Sequence, residues 1–217
     1  MKINLLLIFL FCSSFSRSQS VQAVDSLNIE ICKSLVQNKN LDNEIRMNTI
    51  EKSHIYPYLL RFNDTIIQKK LFTQIYYRLL KNCDEFKTLF PAQPFSNDYS
   101  EQNKEPIINI SKEQCNHFDK ISKYYYIEGG GKKVEVTLSD NLWVEKFEDN
   151  TYSKLYFRKK NNCQFELEFI ESNNVSRGNL SVKGEKYLYK IFNEENETYS
   201  VYLKNKETYY IFKIIKQ

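Results

Sequence analysis

Three short segments decide the fold: VEVTL at residues 134–138, FELEF at 165–169 and YSVYL at 199–203. In each of them every second side chain is strongly apolar, and the residues between are more polar. A period of two is typical of a strand that buries one face and leaves the other in water. Clusters of Gly, Asn, Asp and Ser separate these segments and read as tight turns.

The stretch from Ser122 to Lys216 therefore predicts about eight or nine short antiparallel strands. Regular spacing without intervening helical patterns favours a curled sheet, a lipocalin-like half-barrel or barrel. The last strand, 208–215, is apolar on both faces, which indicates a central place or a covered outer side. The predicted fold class is α+β, with an N-terminal helical region before this sheet. The predicted organisation is a signal peptide at 1–18, a helical region at 19–90, a linker at 91–113 and an antiparallel β domain at 114–217.

Residues 24–90 have apolar side chains at helical spacing, and we predict three helices there. The first helix has Val24, Leu27, Ile31 and Leu35 on one face. The second runs from Leu41 to about His54, and Pro57 should break or restart it. The third is capped by Asn63 or Asp64, keeps one apolar face from Ile67 to Phe90 and ends at Pro91. The prolines and the polar run that follow predict the linker.

The N-terminus has the pattern of a secretory signal peptide. Lys2 precedes the apolar run Leu5–Phe11, and small residues follow from Ser13 to Ser20, so that cleavage after Ser18 or after Ser20 fits. The apolar run is too short to span a bilayer. We therefore predict an exported protein, periplasmic or extracellular, and not a transmembrane one.

Four cysteines remain once Cys12 of the predicted signal peptide is set aside: Cys32, Cys83, Cys115 and Cys163. An even number in an oxidising compartment predicts two disulfides, with three possible connectivities. Topology favours Cys32–Cys83 and Cys115–Cys163, because each pair then lies within one structural region. Each bond would stabilise the fold by roughly 4 kcal/mol on the chain-entropy model.

Charge does not indicate a nucleic-acid or membrane partner. The chain carries a net charge of +4, and removal of Lys2 and Arg17 with the signal peptide gives 4 − 2 = +2. Lysines and glutamates are interspersed along the chain. Known catalytic, phosphate-binding and dinucleotide motifs are absent from the sequence, and we predict no cofactor, no metal and no catalytic residue.

Two weaker chemical candidates remain. Glu166 and Glu168 share a strand face and, with Glu135 or Glu145 opposite, would form a carboxylate pair suited to glycoside hydrolysis. The structural alternative is the solvated face of an antiparallel strand. Cys115 and His117 suggest a nucleophile or a metal site, and a disulfide at Cys115 would remove both.

Tyrosines are abundant in the predicted strands and indicate an aromatic surface for a sugar or an apolar ligand. The alternative is that tyrosine is there because it favours strands. These aromatic residues are Tyr124, Tyr125, Tyr126, Tyr152, Tyr156, Tyr187, Tyr189, Tyr199, Tyr202, Tyr209 and Tyr210, together with Trp143.

One resemblance covers the second half of the chain. The run Cys115-Asn116-His117-Phe118 leading into Tyr124–Tyr126, followed by Asn162-Cys163-Gln164-Phe165-Glu166-Leu167, resembles the β domain of small exported proteins of unknown function from flavobacteria and relatives. This resemblance implies two linked cysteines and no known activity.

These observations predict a non-catalytic binding or interaction module of the bacterial cell envelope. Its expected partner is a small apolar ligand, a glycan or a protein. The alternatives are a glycan-acting hydrolase that uses the strand carboxylates, and an inhibitor or immunity-type protein that binds one protein partner.

Overall fold

A computed structural model describes the backbone of residues 4–90 and 98–217, and the side chains of residues 21–90 and 98–217. The chain forms two compact units, Met1–Pro91 and Ala92–Gln217. The side chains of the predicted signal peptide, 1–18, and the residues 91–97 of the predicted linker lie outside this description.

The first unit is helical. Its elements are α1 (Asn4–Gln37), α2 (Asn43–Ile50), a π-helical turn (Glu51–Ile55), α3 (Tyr56–Leu59), α4 (Thr65–Asn82) and α5 (Asp84–Leu89). The predicted inner face of the first helix is confirmed, because Val24, Ile31 and Leu35 are fully buried. The predicted cap is confirmed at Asp64, whose carboxylate accepts a hydrogen bond from the Ile66 amide at 2.7 Å. The predicted restart near Pro57 is also present, since α3 begins one residue earlier.

The prediction of one uninterrupted helix to Phe90 is wrong. Cys83 adopts an extended conformation, with φ −117° and ψ 103°, and separates α4 from α5. Asn82, Cys83 and Asp84 all have low helix propensity, so the break has a small local cost. The Cys83 sulfur is bonded to Cys32 of α1, so the break lies where the two helices are joined.

Two buried arginines also join the helices, and no sequence pattern predicts them. Arg46 is 4% exposed, contacts Glu85 at 2.5 Å and donates to the Leu35 carbonyl at 3.2 Å. Arg78 is similarly buried and pairs with Asp25. The charge of each buried guanidinium is thus compensated by a carboxylate, as burial requires.

The second unit is an antiparallel β-barrel, which confirms the predicted fold class. Eight strands pair in chain order, and the last of them, β9, pairs with both β8 and β2 to close the barrel. The elements are β1 (Tyr99–Gln102), α6 (Lys112–Phe118), β2 (Lys123–Ile127), β3 (Lys133–Ser139), β4 (Leu142–Lys146), β5 (Tyr152–Lys159), β6 (Gln164–Ser172), α7 (Val175–Leu180), β7 (Lys186–Glu195), β8 (Thr198–Asn205) and β9 (Thr208–Lys216).

Strand β1 lies within 91–113, the range predicted to be a linker. It pairs with residues 209–212 of β9. β9 thus has three partner strands, β1, β2 and β8. The hairpins between strands use residues with positive φ, for example Asp140 and Asn141 at 50° and 60°. Such a pair matches the twist of the flanking strands.

Both predicted disulfides are present. Cys32 is bonded to Cys83 in the helical unit, and Cys115 is bonded to Cys163 in the barrel unit. Each disulfide therefore cross-links residues within a single unit.

Candidate functional site

One end of the barrel is filled by the stacked rings of Phe118, Tyr124 and Phe165, which we call the aromatic plug. The short helix α6 inserts Phe118, whose ring stacks on Tyr124 and on Phe165 with centroid distances of 5.0 Å in both cases. The Tyr124 hydroxyl donates a hydrogen bond to the Phe118 carbonyl. The Cys115–Cys163 bond ties the same helix to the chain just before β6. This end is therefore packed and cross-linked.

The opposite end contains a cavity of about 260 Å³. Helix α7, which connects β6 to β7, contributes Arg177 and Leu180 to the cavity, and Ser181 follows directly. The inward side chains of the barrel strands form the remaining wall: Tyr126, Trp143, Glu145, Ser153, Leu155, Phe165, Leu167, Phe169, Tyr187, Tyr189, Val201, Leu203, Phe212 and Ile214. Most of this wall is apolar, and much of it is aromatic.

A polar cluster lies on one side of the cavity, centred on Glu145. This residue is 8% exposed, and its Oε1 accepts hydrogen bonds from the Tyr126 hydroxyl at 2.9 Å and from Trp143 Nε1 at 3.3 Å. Arg177 Nε lies 3.7 Å from Glu145 Oε2. Arg177 also donates to the Tyr126 hydroxyl at 2.9 Å and pairs with Glu128. The buried carboxylate thus has a charge partner and two donors, as a buried charge needs.

The tyrosine hydroxyls of this cluster stay neutral. Burial raises the pKa of Tyr126 well above its ordinary value, with Arg177 lowering it and Glu145 raising it further. Burial likewise raises the pKa of Tyr189 to about 12, with the same two opposing charges as smaller causes. Within the described part of the chain, the Tyr189 hydroxyl has no hydrogen-bond partner. It is free to bind a group that enters the cavity.

Comparison with protein-family models, with curated proteins and with solved structures finds no significant match for this chain. The resemblance to exported two-disulfide proteins of flavobacteria therefore stays a prediction. The chemistry of the cavity has to be derived from its own side chains.

The carboxylates that the sequence proposed for hydrolysis are not brought together. Glu166 and Glu168 lie on the outer face of β6, where Arg158 contacts them at 3.2 Å and 2.7 Å. Glu135 also points outward, on β3, whereas Glu145 points into the cavity. Because Glu145 lies on the opposite side of the barrel wall, it forms no pair with Glu166 or Glu168.

The charges around Glu166 also oppose an acid role. Burial alone would raise the pKa of Glu166, but Lys160, Lys186 and Arg158 outweigh it and lower the pKa below its ordinary value. A general acid of a glycosidase needs a raised pKa. Glu166 and its neighbours form an outer ion-pair network, which is the structural alternative that the sequence offered.

The predicted aromatic surface is divided between the two sides of the barrel wall. Tyr126, Tyr187 and Tyr189 line the cavity, and Tyr124 and Tyr199 are fully buried in the core. Other tyrosines lie outside under basic side chains, at cation–π distances: Tyr125 with Lys133, Tyr152 with Lys154, Tyr156 with Arg158, and Tyr209 with Lys204. A single continuous tyrosine face is therefore absent from the described barrel.

The two histidines lie in separate units, His54 in the π-helical turn and His117 on α6. Cys115 is bonded to Cys163, so it supplies neither a nucleophile nor a thiolate ligand. Among the side chains described, no group of three or more His, Cys, Asp or Glu residues is placed to hold a metal ion. None of the helices in the described ranges combines the length and apolar character needed to cross a membrane.

Arg177 was missed by sequence reasoning, since its segment reads as a polar turn. Asn174 caps the short helix α7 by accepting a hydrogen bond from the Arg177 amide at 3.2 Å. A capping residue three positions before an arginine is only a weak signal of a cavity-lining arginine, because Asn and Lys are frequent throughout this sequence. The inward position of Glu145 follows from the alternation of β4, where it shares a face with Trp143.

The helical unit carries a second concave surface, beside the Cys32–Cys83 disulfide. This groove has a volume of about 730 Å³ and is mainly apolar. Ile29 and Val36 of α1 line it and are 56% and 50% exposed. Asn28 lines it as well, and its buried Oδ1 atom has no hydrogen-bond partner among the described residues.

Proposed function

We propose that this chain is an exported, non-catalytic binding protein whose barrel holds one small, mainly apolar ligand in the cavity beneath α7. The observation that carries the proposal is the cavity itself, which is lined by aromatic and aliphatic side chains with one polar cluster. Apolar walls with a few placed polar groups are typical of ligand sites.

The size of the cavity supports a specific small ligand. Protein interiors are close-packed, and an apolar void of about 150 Å³ already accommodates a benzene molecule. The cavity here is larger, at about 260 Å³, while the other end of the same barrel is filled by stacked rings. A cavity of this size lowers stability relative to a packed core, and a bound ligand offsets this loss.

Export is supported by the cysteines. Two disulfide bonds fit an oxidising compartment, periplasmic or extracellular, because cytosolic proteins keep their thiols reduced. A binding function is favoured over glycoside hydrolysis, which needs a pair of carboxylates. Among the residues described, Glu145 is the only carboxylate that lines the cavity, so no pair is formed there.

Trp143 provides the test, because it is the only tryptophan of the chain and lines the cavity. We expect titration with cyclohexylmethanol, a non-fluorescent alcohol with one apolar ring, to change Trp143 emission in a saturable way. The variant Ser153→Phe should abolish this change, since Ser153 faces the cavity opposite Glu145 and the added ring would occupy the space.

Lys154→Phe is the matched control. Lys154 is the next residue on β5, points outward and pairs with Glu171, so the same added ring leaves the cavity open. The alcohol should bind this variant as it binds the native chain. Equal binding by the native chain and by folded Ser153→Phe, or no saturable change in either, would refute the cavity as a ligand site.

A second candidate, binding of a protein partner, is favoured by the groove of the helical unit. Ile29 and Val36 expose apolar surface there, and no donor in the described part of the chain reaches the Asn28 Oδ1 atom. Native mass spectrometry of the protein purified from its own compartment separates the two candidates. A small bound mass supports the cavity, whereas a stoichiometric protein complex that Ile29→Glu disrupts supports the groove.

A further inference from the structure

We infer that the ligand of the barrel cavity is a small cation, a primary amine attached to an apolar body of one or two rings. This inference rests on the proposed function and specifies the ligand class for the same site. Its basis is the arrangement of charges and aromatic rings around Glu145.

One carboxylate and one guanidinium line the cavity, those of Glu145 and Arg177. A second carboxylate, that of Glu128, is not part of the lining but pairs with Arg177. Arg177 Nη2 donates to Glu128 and to the Tyr126 hydroxyl, and its Nε lies 3.7 Å from Glu145 Oε2. An anionic ligand at Arg177 would lie close to these two carboxylates and would be repelled by both.

The two carboxylate oxygens of Glu145 differ in their partners. Its Oε1 already accepts two hydrogen bonds, from Tyr126 and Trp143. Within the described part of the chain, its Oε2 accepts no hydrogen bond and has the guanidinium of Arg177 at 3.7 Å. An ammonium group beside Oε2 would form a charge-assisted hydrogen bond, which is about twice as strong as a neutral one.

The surrounding side chains suit an ammonium group as well. The Tyr189 hydroxyl is without a partner in the described residues and can accept a second N–H. The rings of Trp143, Tyr187 and Tyr189 line the same cavity and offer cation–π contacts. Because the tyrosines remain neutral, they act on the ligand through hydrogen bonds and ring faces and add no charge.

The volume sets the size of the apolar body. About 260 Å³ accommodates one or two rings, and a whole phospholipid does not fit. The aliphatic part of the wall, with Leu155, Leu167 and Val201, would contact this body while the amine lies at Glu145.

Three ligands that share one ring test the class: cyclohexylmethylamine, cyclohexylmethanol and cyclohexanecarboxylate. At neutral pH the first is a cation, since an alkylamine titrates near lysine, the second is neutral and the third is an anion. We expect calorimetric affinities in the order amine, alcohol, carboxylate, with the amine about tenfold tighter than the alcohol.

The variant Glu145→Gln keeps the shape of the side chain and removes its charge. It should lower the affinity for the amine about tenfold and change the affinity for the alcohol much less. Glu135→Gln is the control, because Glu135 lies on the outer face of the neighbouring strand β3 and its loss changes the net charge equally. Circular dichroism and thermal unfolding verify that both variants are folded.

The possible outcomes distinguish this inference from the proposed function, ligand binding in the cavity, on which it rests. Equal affinity for amine and alcohol, or equal loss of amine binding in Glu145→Gln and Glu135→Gln, would refute the cationic class while leaving a neutral ligand site. Tighter binding of the carboxylate would also refute it, and would assign the dominant role to Arg177. Absence of binding by all three ligands would overturn the cavity proposal as well.

Discussion

The two ends of the barrel are closed by short helices of similar length but opposite character. At one end α6 inserts the apolar ring of Phe118 into an aromatic stack, and a disulfide fixes the helix. At the other end α7 contributes Arg177, which pairs with Glu145 and Glu128 at the side of the cavity. One end is built like a protein core and the other like a binding site.

This difference concerns how much each end contributes to the stability of the barrel. Stacked rings in contact gain dispersion energy and bury a large apolar area. Side chains that border a cavity lack such contacts on one side, so they contribute less to the free energy of unfolding and are available to a ligand. The contrast predicts that substitutions of similar kind have unequal effects at the two ends.

The largest effect is expected for Phe118→Ala at the plugged end. Removal of this ring opens a hole between Tyr124 and Phe165, and we expect a loss of about 4 kcal/mol in the free energy of unfolding. Denaturant unfolding followed by Trp143 emission reports on the barrel unit. His117→Ala, at the exposed neighbouring position, should be nearly neutral. Similar losses of unfolding free energy in both variants would contradict a stabilising role of the aromatic plug.

A smaller effect is expected for Leu180→Ala at the cavity end. Leu180 is partly exposed and borders the cavity, so we expect a loss of about 1 kcal/mol, measured in the same way. The two ends would be energetically equivalent, contrary to the comparison, if Leu180→Ala cost as much as Phe118→Ala.

The smallest effect is expected on the outer face, for Glu166→Gln. The lowered pKa of Glu166 means that its carboxylate stabilises the native chain at neutral pH, and this contribution is lost as the pH falls below about 4.5 through the lowered value. The stability difference between native chain and variant should therefore shrink on acidification. Denaturant unfolding at a series of pH values checks it.

Glu207→Gln serves as the control for that series. Glu207 lies in the exposed turn between β8 and β9, and it forms no ion pair in the described part of the chain. Its variant should follow the native chain at every pH. A stability difference for Glu166→Gln that persists unchanged in acid would show that the ion-pair network does not cause it.

Much of the fold was predictable from local patterns. The period-two segments around Val136, Leu167 and Val201 located the inner face of the barrel, since each of these residues is buried. Topology was also enough to pair the cysteines, because each bond joins residues of one unit. The break at Cys83 was not predictable, because the apolar spacing continues through it while the chain adopts an extended conformation for one residue.

The candidate site was harder to predict than the fold. Its polar cluster joins Tyr126 of β2, Glu145 of β4 and Arg177 of α7, and the distances between these residues in the sequence leave no motif. Closure of the barrel also decides which tyrosines face inward. Alternation along a strand assigns residues to two faces, and only the closed sheet shows which face encloses the cavity.

The position of β9 at the end of the barrel has a consequence for how the protein is made. β9 pairs with β8 beside it in the chain and with β2 at the start of the barrel, through Tyr124 with Lys216 and Tyr125 with Ile215. The barrel therefore cannot close until its last strand has emerged, and until then β2 and β8 present unpaired edges. Such long-range pairing forms slowly, and the unpaired strand edges are exposed to aggregation until it is complete.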